Sequence, residues 1–134
     1  MAWPCANSGV TPVLDDVTYE FGVKPRRTIT TVRTAATGGP EHVSSSTSLR
    51  GAPEELPGSL THTVRGLEVN RACGSGASGR HRFTELLATM VVDARGASIT
   101  AAAVDYHVGD KRYRLKVPWT YVACGSAIKD TGLC

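Results

Sequence analysis

Glycine, histidine, cysteine and acidic residues are the parts of this sequence whose types and spacing could carry chemistry. The run from Gly74 to Gly79 spells G-x-G-x-x-G, the spacing with which a dinucleotide-binding loop brings its backbone close to a pyrophosphate. Such a loop opens a helix directly, whereas here Arg80 to Phe83 separate the glycines from the next periodic segment. No repeated βαβ pattern surrounds the run. It is therefore predicted to be a Gly/Ser-rich loop, and the sequence predicts no cofactor.

The titratable residues do not form a recognisable catalytic or metal-binding pattern. The four histidines are His42, His62, His81 and His107, and no G-x-S-x-G nucleophile elbow accompanies them. The pair Asp15-Asp16 would need more oxygen ligands nearby to hold calcium. No C-x-x-C pair and no histidine at zinc-finger spacing is present. The sequence predicts no catalytic residue and no metal site.

The four cysteines, Cys5, Cys73, Cys124 and Cys134, are spread from one end of the chain to the other. Two disulfides are favoured over four buried thiols, and they indicate an oxidising compartment. Cys124 and Cys134 enclose a short loop that closes at low entropic cost, so a Cys124–Cys134 bond with Cys5–Cys73 is favoured. The crossed pairing of Cys5 with Cys124 and Cys73 with Cys134 stays open. The prediction is a secreted or cell-surface protein whose signal peptide has been removed.

Length and composition limit the remaining classes. At 134 residues and 14.2 kDa the chain is predicted to form a single domain over residues 1–134. A net charge of +3 and an aromatic content of 6% argue against a nucleic-acid partner. No stretch approaches the roughly 18 apolar residues that span a bilayer, so no membrane span is predicted. Eleven arginines against four lysines indicate a GC-rich bacterial genome.

Strand patterns dominate the elements that must position these residues. Residues 16–23 alternate cleanly, with Val17, Tyr19, Phe21 and Val23 on one face. Residues 28–37 are rich in β-branched residues, but the alternation slips between Ile29 and Val32, which predicts a bulge. Residues 42–50 and 60–73 are also predicted strands, and residues 51–59, with two prolines and two glycines, a loop.

The clearest predicted element is a hairpin in the last third of the chain. A two-residue turn at Gly109-Asp110 would place Tyr106 opposite Tyr113, Val104 opposite Leu115 and Asp105 opposite Arg114. In this register Val104, Tyr106, Leu115 and Val117 are predicted to point inward and the charged residues outward. Pro118 predicts an edge or a bulge, and Trp119, of the same parity as Leu115, is predicted to be buried.

One segment, residues 84–95, is compatible with two structures. The residues Phe83, Leu86, Leu87, Met90 and Val91 fit a helical stripe. Read as a strand, Leu86 and Met90 share one face, and the neighbouring β-rich sequence favours this interpretation. The predicted fold is therefore all-β, a single antiparallel β-sandwich-like domain with two disulfides, with one helix at 84–95 as the alternative to a strand there.

A β-sandwich without a catalytic constellation is typical of a rigid scaffold whose loops bind a partner. The sequence therefore predicts an extracellular interaction or structural module without catalytic activity. Its predicted partner is an extracellular protein or an anionic surface polymer. Contacts with that partner are predicted at Trp3, Arg80, His81 and Arg82.

Two other functions stay open. One is an inhibitor of an extracellular peptidase that presents loop 53–59 (PEELPGS) or 73–82 (CGSGASGRHR) to its target. The other is a small secreted hydrolase or toxin whose catalytic residues are brought together only by the fold.

Overall fold

Seven β-strands provide the regular structure of the residues described by the computed structural model, which are 5–6, 9–36, 51–69, 82–128, 132 and 134. The strands are β1 (Val13–Val23), β2 (Arg27–Ala36), β3 (Ser59–Thr61), β4 (Arg82–Val91), β5 (Ala97–Val108), β6 (Lys111–Val117) and β7 (Tyr121–Ala123). A short 3₁₀ turn spans Pro53–Glu55 in the predicted loop. No helix within these residues is long and apolar enough to cross a membrane.

The strands form two antiparallel sheets that pack against each other as a sandwich. In the four-stranded sheet β1, β5 and β6 follow in that order, and β7 pairs with β5 beyond the end of β6. In the three-stranded sheet β2 lies between β3 and β4. The predicted all-β, sandwich-like fold is confirmed. The predicted strand at 42–50 lies outside the described residues.

The core lies between the two sheets. Leu14 and Val104 of the four-stranded sheet meet Val32 and Leu86 of the three-stranded sheet, and Val69 closes one side. Apolar side chains alternate toward this layer because successive residues of a strand point to opposite faces. Burial of these side chains removes apolar surface from water, which is the main term favouring the folded state.

Residues 82–91 form strand β4, so the helix considered for 84–95 is wrong and the strand interpretation is confirmed. β4 pairs with β2 in an uninterrupted register from Arg27–Val91 to Ala36–Arg82. Leu86 belongs to the core, whereas its neighbour Leu87 is buried on the opposite face of the sheet. Burial on both faces explains why the apolar spacing of this strand resembles a helical stripe.

The bulge predicted in residues 28–37 is absent, and burial on both faces of β2 explains the slip in its apolar pattern. The β2–β4 register has no irregularity between Ile29 and Val32. Thr31 and Arg33 are buried on the outer face, beyond the core. Thr31 Oγ1 lies 3.2 Å from Nδ1 of His62, which follows β3. The carbonyl oxygen of Pro57 accepts a hydrogen bond from Arg33 Nη1 at 2.7 Å. The slip in apolar alternation reflects a covered outer face and not an extra residue.

Strand β1 includes the predicted segment 16–23 and begins three residues earlier. Val17, Tyr19, Phe21 and Val23 are half-buried, as predicted for one face. The Tyr19 hydroxyl lies 2.8 Å from Thr30 Oγ1 of the facing sheet, and burial of the ring raises the pKa of Tyr19 above its ordinary value. This hydrogen bond joins the two sheets at a point where both faces carry a polar atom.

The strand predicted over residues 60–73 is wrong over most of its described length. After β3 ends at residue 61, the described residues 62–69 make one further bridge, between Glu68 and Val13. It turns at Gly66, whose φ of +82° favours glycine. The Gly66 N–H donates to the Leu14 carbonyl, and the Leu14 N–H donates to the Leu67 carbonyl. This segment therefore follows the edge of β1 through turns. Residues 70–73 lie outside the described part.

The disulfide between Cys124 and Cys134 is present, with the two Cα atoms 5.7 Å apart. This bond confirms the Cys124–Cys134 half of the favoured pairing and shows that the crossed arrangement is wrong. Cys5 is also disulfide-bonded, and its predicted partner Cys73 lies outside the described residues. The bond joins cysteines ten positions apart, and closure of this loop restricts the unfolded chain and stabilises the fold by about 2–4 kcal/mol.

Candidate functional site

Strand β6 is the edge of the four-stranded sheet. Its pairing with β5 has the predicted register, with Tyr106 opposite Tyr113, Val104 opposite Leu115 and Asp105 opposite Arg114. The turn at Gly109-Asp110 is also present, and Gly109 has a φ of +55°. Among the described residues, no strand pairs with the other side of β6. Its outer backbone groups therefore face away from the sheet.

The apolar side chains of β6 are exposed, which corrects the prediction that Leu115 points into the core and that Trp119 is buried. Tyr113 is 44% exposed, Leu115 55% and Trp119 54%. Val104 and Tyr106 on β5 do pack in or against the core, but no β6 residue belongs to the core cluster formed by the described residues. The register is thus as predicted, while the facing three-stranded sheet does not extend over β6.

We call residues 111–117 together with Trp119 the edge surface. One side of β6 carries Tyr113, Leu115 and Val117. The Tyr113 ring stacks on Tyr106, with centroids 5.3 Å apart and an angle of 19° between the planes. Isolated exposed apolar residues are ordinary in proteins, but several on one edge strand mark a site of contact.

The other side of β6 carries the cations Arg112, Arg114 and Lys116. Arg114 binds both carboxylate oxygens of Asp105, at 2.6 and 2.7 Å, and the Lys116 Nζ lies 2.8 Å from Glu20 Oε1. Within the described part of the chain, no carboxylate lies within 4.0 Å of the charged group of Arg112. The edge surface is therefore apolar on one side and cationic on the other.

The hydrogen bonds from Arg114 lower the pKa of Asp105 below the ordinary value of an aspartate. Replacing Arg114 with alanine is expected to raise this pKa toward its ordinary value, measured by an NMR titration of the carboxyl carbon. A lowered pKa in the folded state stabilises the protein above the ordinary pKa, and this contribution disappears as the pH falls through the lowered value. Lys116→Ala is the control and should leave the pKa of Asp105 unchanged. An equal rise in both variants would contradict the assignment.

His107 forms a hydrogen bond from Nδ1 to Asp15, at 3.0 Å from Oδ1 and 3.1 Å from Oδ2. Asp15 lies where the β1–β5 register shifts, because Leu14 pairs with Tyr106 and Asp16 with Asp105. The extra residue lets Asp15 reach the histidine. His107 is therefore a partly buried side chain that is paired with Asp15. No group of three or more potential metal ligands occurs among the described residues.

An open polar cleft of about 560 Å³ lies between the sheets beside β1. Asp15, Asp16 and His62 line it, together with the side chains of Arg27 and Arg65. His62 Nδ1 lies 3.2 Å from Thr31 Oγ1, and its Nε2 lies 3.8 Å from Glu54 Oε1. This order of hydroxyl, imidazole and carboxylate is the order of a nucleophile, a base and an orienting acid. However, Thr31 is fully buried, so a substrate cannot reach its hydroxyl.

Most of the partner contacts predicted from the sequence lie outside the described residues. Trp3, Arg80 and His81 belong to this group, as does the glycine run 74–79. Arg82 is the first residue of β4. The sequence did hold a signal for the edge surface, since Tyr113, Leu115 and Val117 alternate with cations just before a proline. Cations and proline are typical of edge strands and are uncommon in buried strands.

Comparisons with protein-family models, with curated protein sequences and with solved structures gave no match for this chain.

Proposed function

We propose that this protein is an extracellular binding module, without catalytic activity of its own, that binds a protein partner through the edge surface. The observation that carries the proposal is the exposure of Tyr113, Leu115 and Trp119 on and just after one edge strand. Binding of a partner that removes a group of exposed apolar side chains from water is favourable in free energy. The disulfide-bonded cysteines support an oxidising, extracellular location.

Aromatic and arginine side chains are the residues that contribute most at protein interfaces. The edge surface combines them, with Tyr113 and Trp119 beside Arg112 and Arg114. Tyr113 is already held by its stack on Tyr106, so little conformational entropy is lost when a partner covers it. Strand β6 is also fixed by seven residue pairs with β5. The surface is thus formed before a partner arrives.

The polar cleft supports a hydrolase less well than the edge surface supports binding. Among the described residues, the hydroxyl of Thr31 lies beside the imidazole of His62, but Thr31 is fully buried and His62 is exposed. A nucleophile must reach the substrate in a near-attack geometry. The arrangement instead positions segment 51–62 on the three-stranded sheet.

The peptidase-inhibitor function keeps one supporting observation. Loop 51–58 is anchored, since the Pro57 carbonyl bonds to the buried Arg33 and the 3₁₀ turn contributes the hydrogen bonds Glu55 N–H to Ala52 and Leu56 N–H to Pro53. Glu54 and Glu55 are exposed on this loop. Such anchoring preorganises a loop for contact with a partner. The experiment below separates this loop from the edge surface.

The test selects peptides from a random-sequence display library against the protein with its disulfides intact. Binding of each enriched peptide is then measured for the native protein, for Leu115→Asp and for Val92→Asp. Val92 is 37% exposed and lies after β4, so it is the matched control. Leu115→Asp is expected to weaken binding by about tenfold or more, because a central apolar contact becomes a charge. Val92→Asp should leave binding unchanged, and thermal unfolding should show both variants folded.

Failure to enrich any peptide whose binding depends on Leu115 would overturn the proposal. Peptides that bind Leu115→Asp normally but lose binding to Glu54→Lys would place the site on loop 51–58 and favour the inhibitor function.

A further inference from the structure

The backbone of β6 offers hydrogen bonds to a further strand. Opposed residues of an antiparallel pair alternate between hydrogen-bonded and non-hydrogen-bonded pairs, and a two-residue hairpin loop closes on a hydrogen-bonded pair. That pair here is Val108 with Lys111. Residues 113, 115 and 117 therefore bond to β5, and Arg112, Arg114 and Lys116 direct their N–H and C=O groups outward. No strand of the described part accepts these groups.

The side chains of β6 divide by the same alternation. Residues with outward backbone groups carry cations, and residues that bond to β5 carry Tyr113, Leu115 and Val117. The side chains of a strand added beside β6 would alternate between these two faces. Its residues on the apolar face would cover Leu115, and those on the other face would meet Arg112.

Charge decides between a second copy of this chain and a different partner. Strand β6 has four cations, Lys111, Arg112, Arg114 and Lys116, and no acidic residue. Pairing of two β6 strands across a two-fold axis would bring cations opposite cations, which destabilises a sheet. Only Arg114 and Lys116 have carboxylate partners within the described residues, so positive charge remains to be neutralised. The surface fits an acidic strand and disfavours its own copy.

We infer that the edge surface binds an extended protein segment, in which apolar and acidic residues alternate, by adding it antiparallel to β6. This inference rests on the proposed function and names its mode and the chemistry of the partner. Main-chain hydrogen bonds to Arg112, Arg114 and Lys116 supply affinity, and the alternation of side chains supplies specificity. In an antiparallel hydrogen-bonded pair, opposed side chains share a face. The acidic residues of the segment are therefore the ones whose backbone bonds to β6.

The test uses a fluorescein-labelled peptide, Val-Glu-Val-Glu-Val-Glu-Val, matched in length to β6, with binding followed by fluorescence anisotropy. Two versions carry N-methyl groups, one on the glutamate amides and one on the valine amides. Methylation of the glutamates is expected to weaken binding by about tenfold or more, since it removes the bonds to β6. Methylation of the valines, whose amides face solvent, should change the affinity by no more than about twofold.

A charge exchange provides the second arm. Arg112→Glu should weaken binding of the glutamate peptide, because a cross-strand attraction becomes a repulsion. It should strengthen binding of a peptide with lysine in place of glutamate, because the opposite change occurs there. Arg112 is exposed, so thermal unfolding should be unchanged in this variant. Binding of the lysine peptide to Arg112→Glu also shows that the variant keeps a formed edge.

The outcomes separate this inference from the proposed function. If display-selected peptides need Leu115 but neither N-methylated version loses affinity, the binding module stands and strand addition is overturned. If dextran sulfate binds in a way that needs Arg112 but not Leu115, and the peptides do not bind, the surface binds an anionic polymer and strand addition is again overturned. If Leu115→Asp affects no ligand, the proposed function itself fails.

Discussion

Replacing Arg33 with methionine is expected to lower the free energy of unfolding by about 3–5 kcal/mol, because the Glu85 carboxylate would lose its cation inside the protein. Both side chains are fully buried, and the two residues oppose each other in the β2–β4 register. Arg33 Nε donates to Glu85 Oε1, and Nη1 donates to the Pro57 carbonyl at 2.7 Å. Removal of the guanidinium therefore also removes a hydrogen bond that holds segment 51–58 on the sheet. Urea unfolding at neutral pH measures the change.

Two controls identify the buried charge as the cause. The double variant Arg33→Met with Glu85→Met should recover much of the lost stability, since apolar residues of similar size replace a buried ion pair at little cost. Arg114→Met, which breaks the exposed pair with Asp105, should leave the free energy of unfolding almost unchanged, because water screens that pair. A cost for Arg33→Met as small as that for Arg114→Met would show that solvent reaches the Arg33–Glu85 pair.

This pair shows why the burial of β2 could not be predicted from its own sequence. An arginine within a β-branched run indicates a solvent-facing position, because charged groups are costly to bury. Arg33 is buried because Glu85 opposes it from β4 and Pro57 reaches over it from a loop 24 residues away. These two contacts are long-range, and no periodicity within β2 indicates them.

The hairpin was predictable because its information is local. The turn residues Gly109-Asp110 fix the register, and apolar and ion pairs then agree on both faces, with Asp105 and Arg114 as the clearest case. The exposure of each face is a different property. Whether Leu115 is buried depends on how far the opposite sheet extends, and that sheet has three strands among the described residues.

The candidate site was only partly predictable for the same reason. The residue types of a binding edge, apolar residues that alternate with cations before Pro118, are readable from the sequence. The surroundings of these residues are not readable in this way. The pairing of His107 with Asp15 arises from a register shift between β1 and β5. The exposure of Trp119 follows from the end of β6 just before it. These irregularities need the whole sheet to define them.

The last prediction compares two leucines that the sequence pattern treats alike. Leu86→Ala is expected to cost about 2–5 kcal/mol, because Leu86 is 6% exposed and packs in the core formed with Leu14, Val32 and Val104. Leu115→Ala should cost less than about 1 kcal/mol, since more than half of that side chain is already in water. Thermal or urea unfolding of both variants under one condition gives the ranking.

The two leucines also connect stability with function. An exposed residue retained for binding should be nearly neutral in unfolding and costly in affinity, whereas a core residue should affect affinity only by unfolding the protein. Leu115→Ala should therefore weaken binding of the display-selected peptides. Leu86→Ala should leave that binding unchanged under conditions in which the variant is folded. If Leu115→Ala destabilised the protein as much as Leu86→Ala, the apolar side of β6 would be covered in the folded chain. The edge surface would then be part of the core, and a partner could not use it.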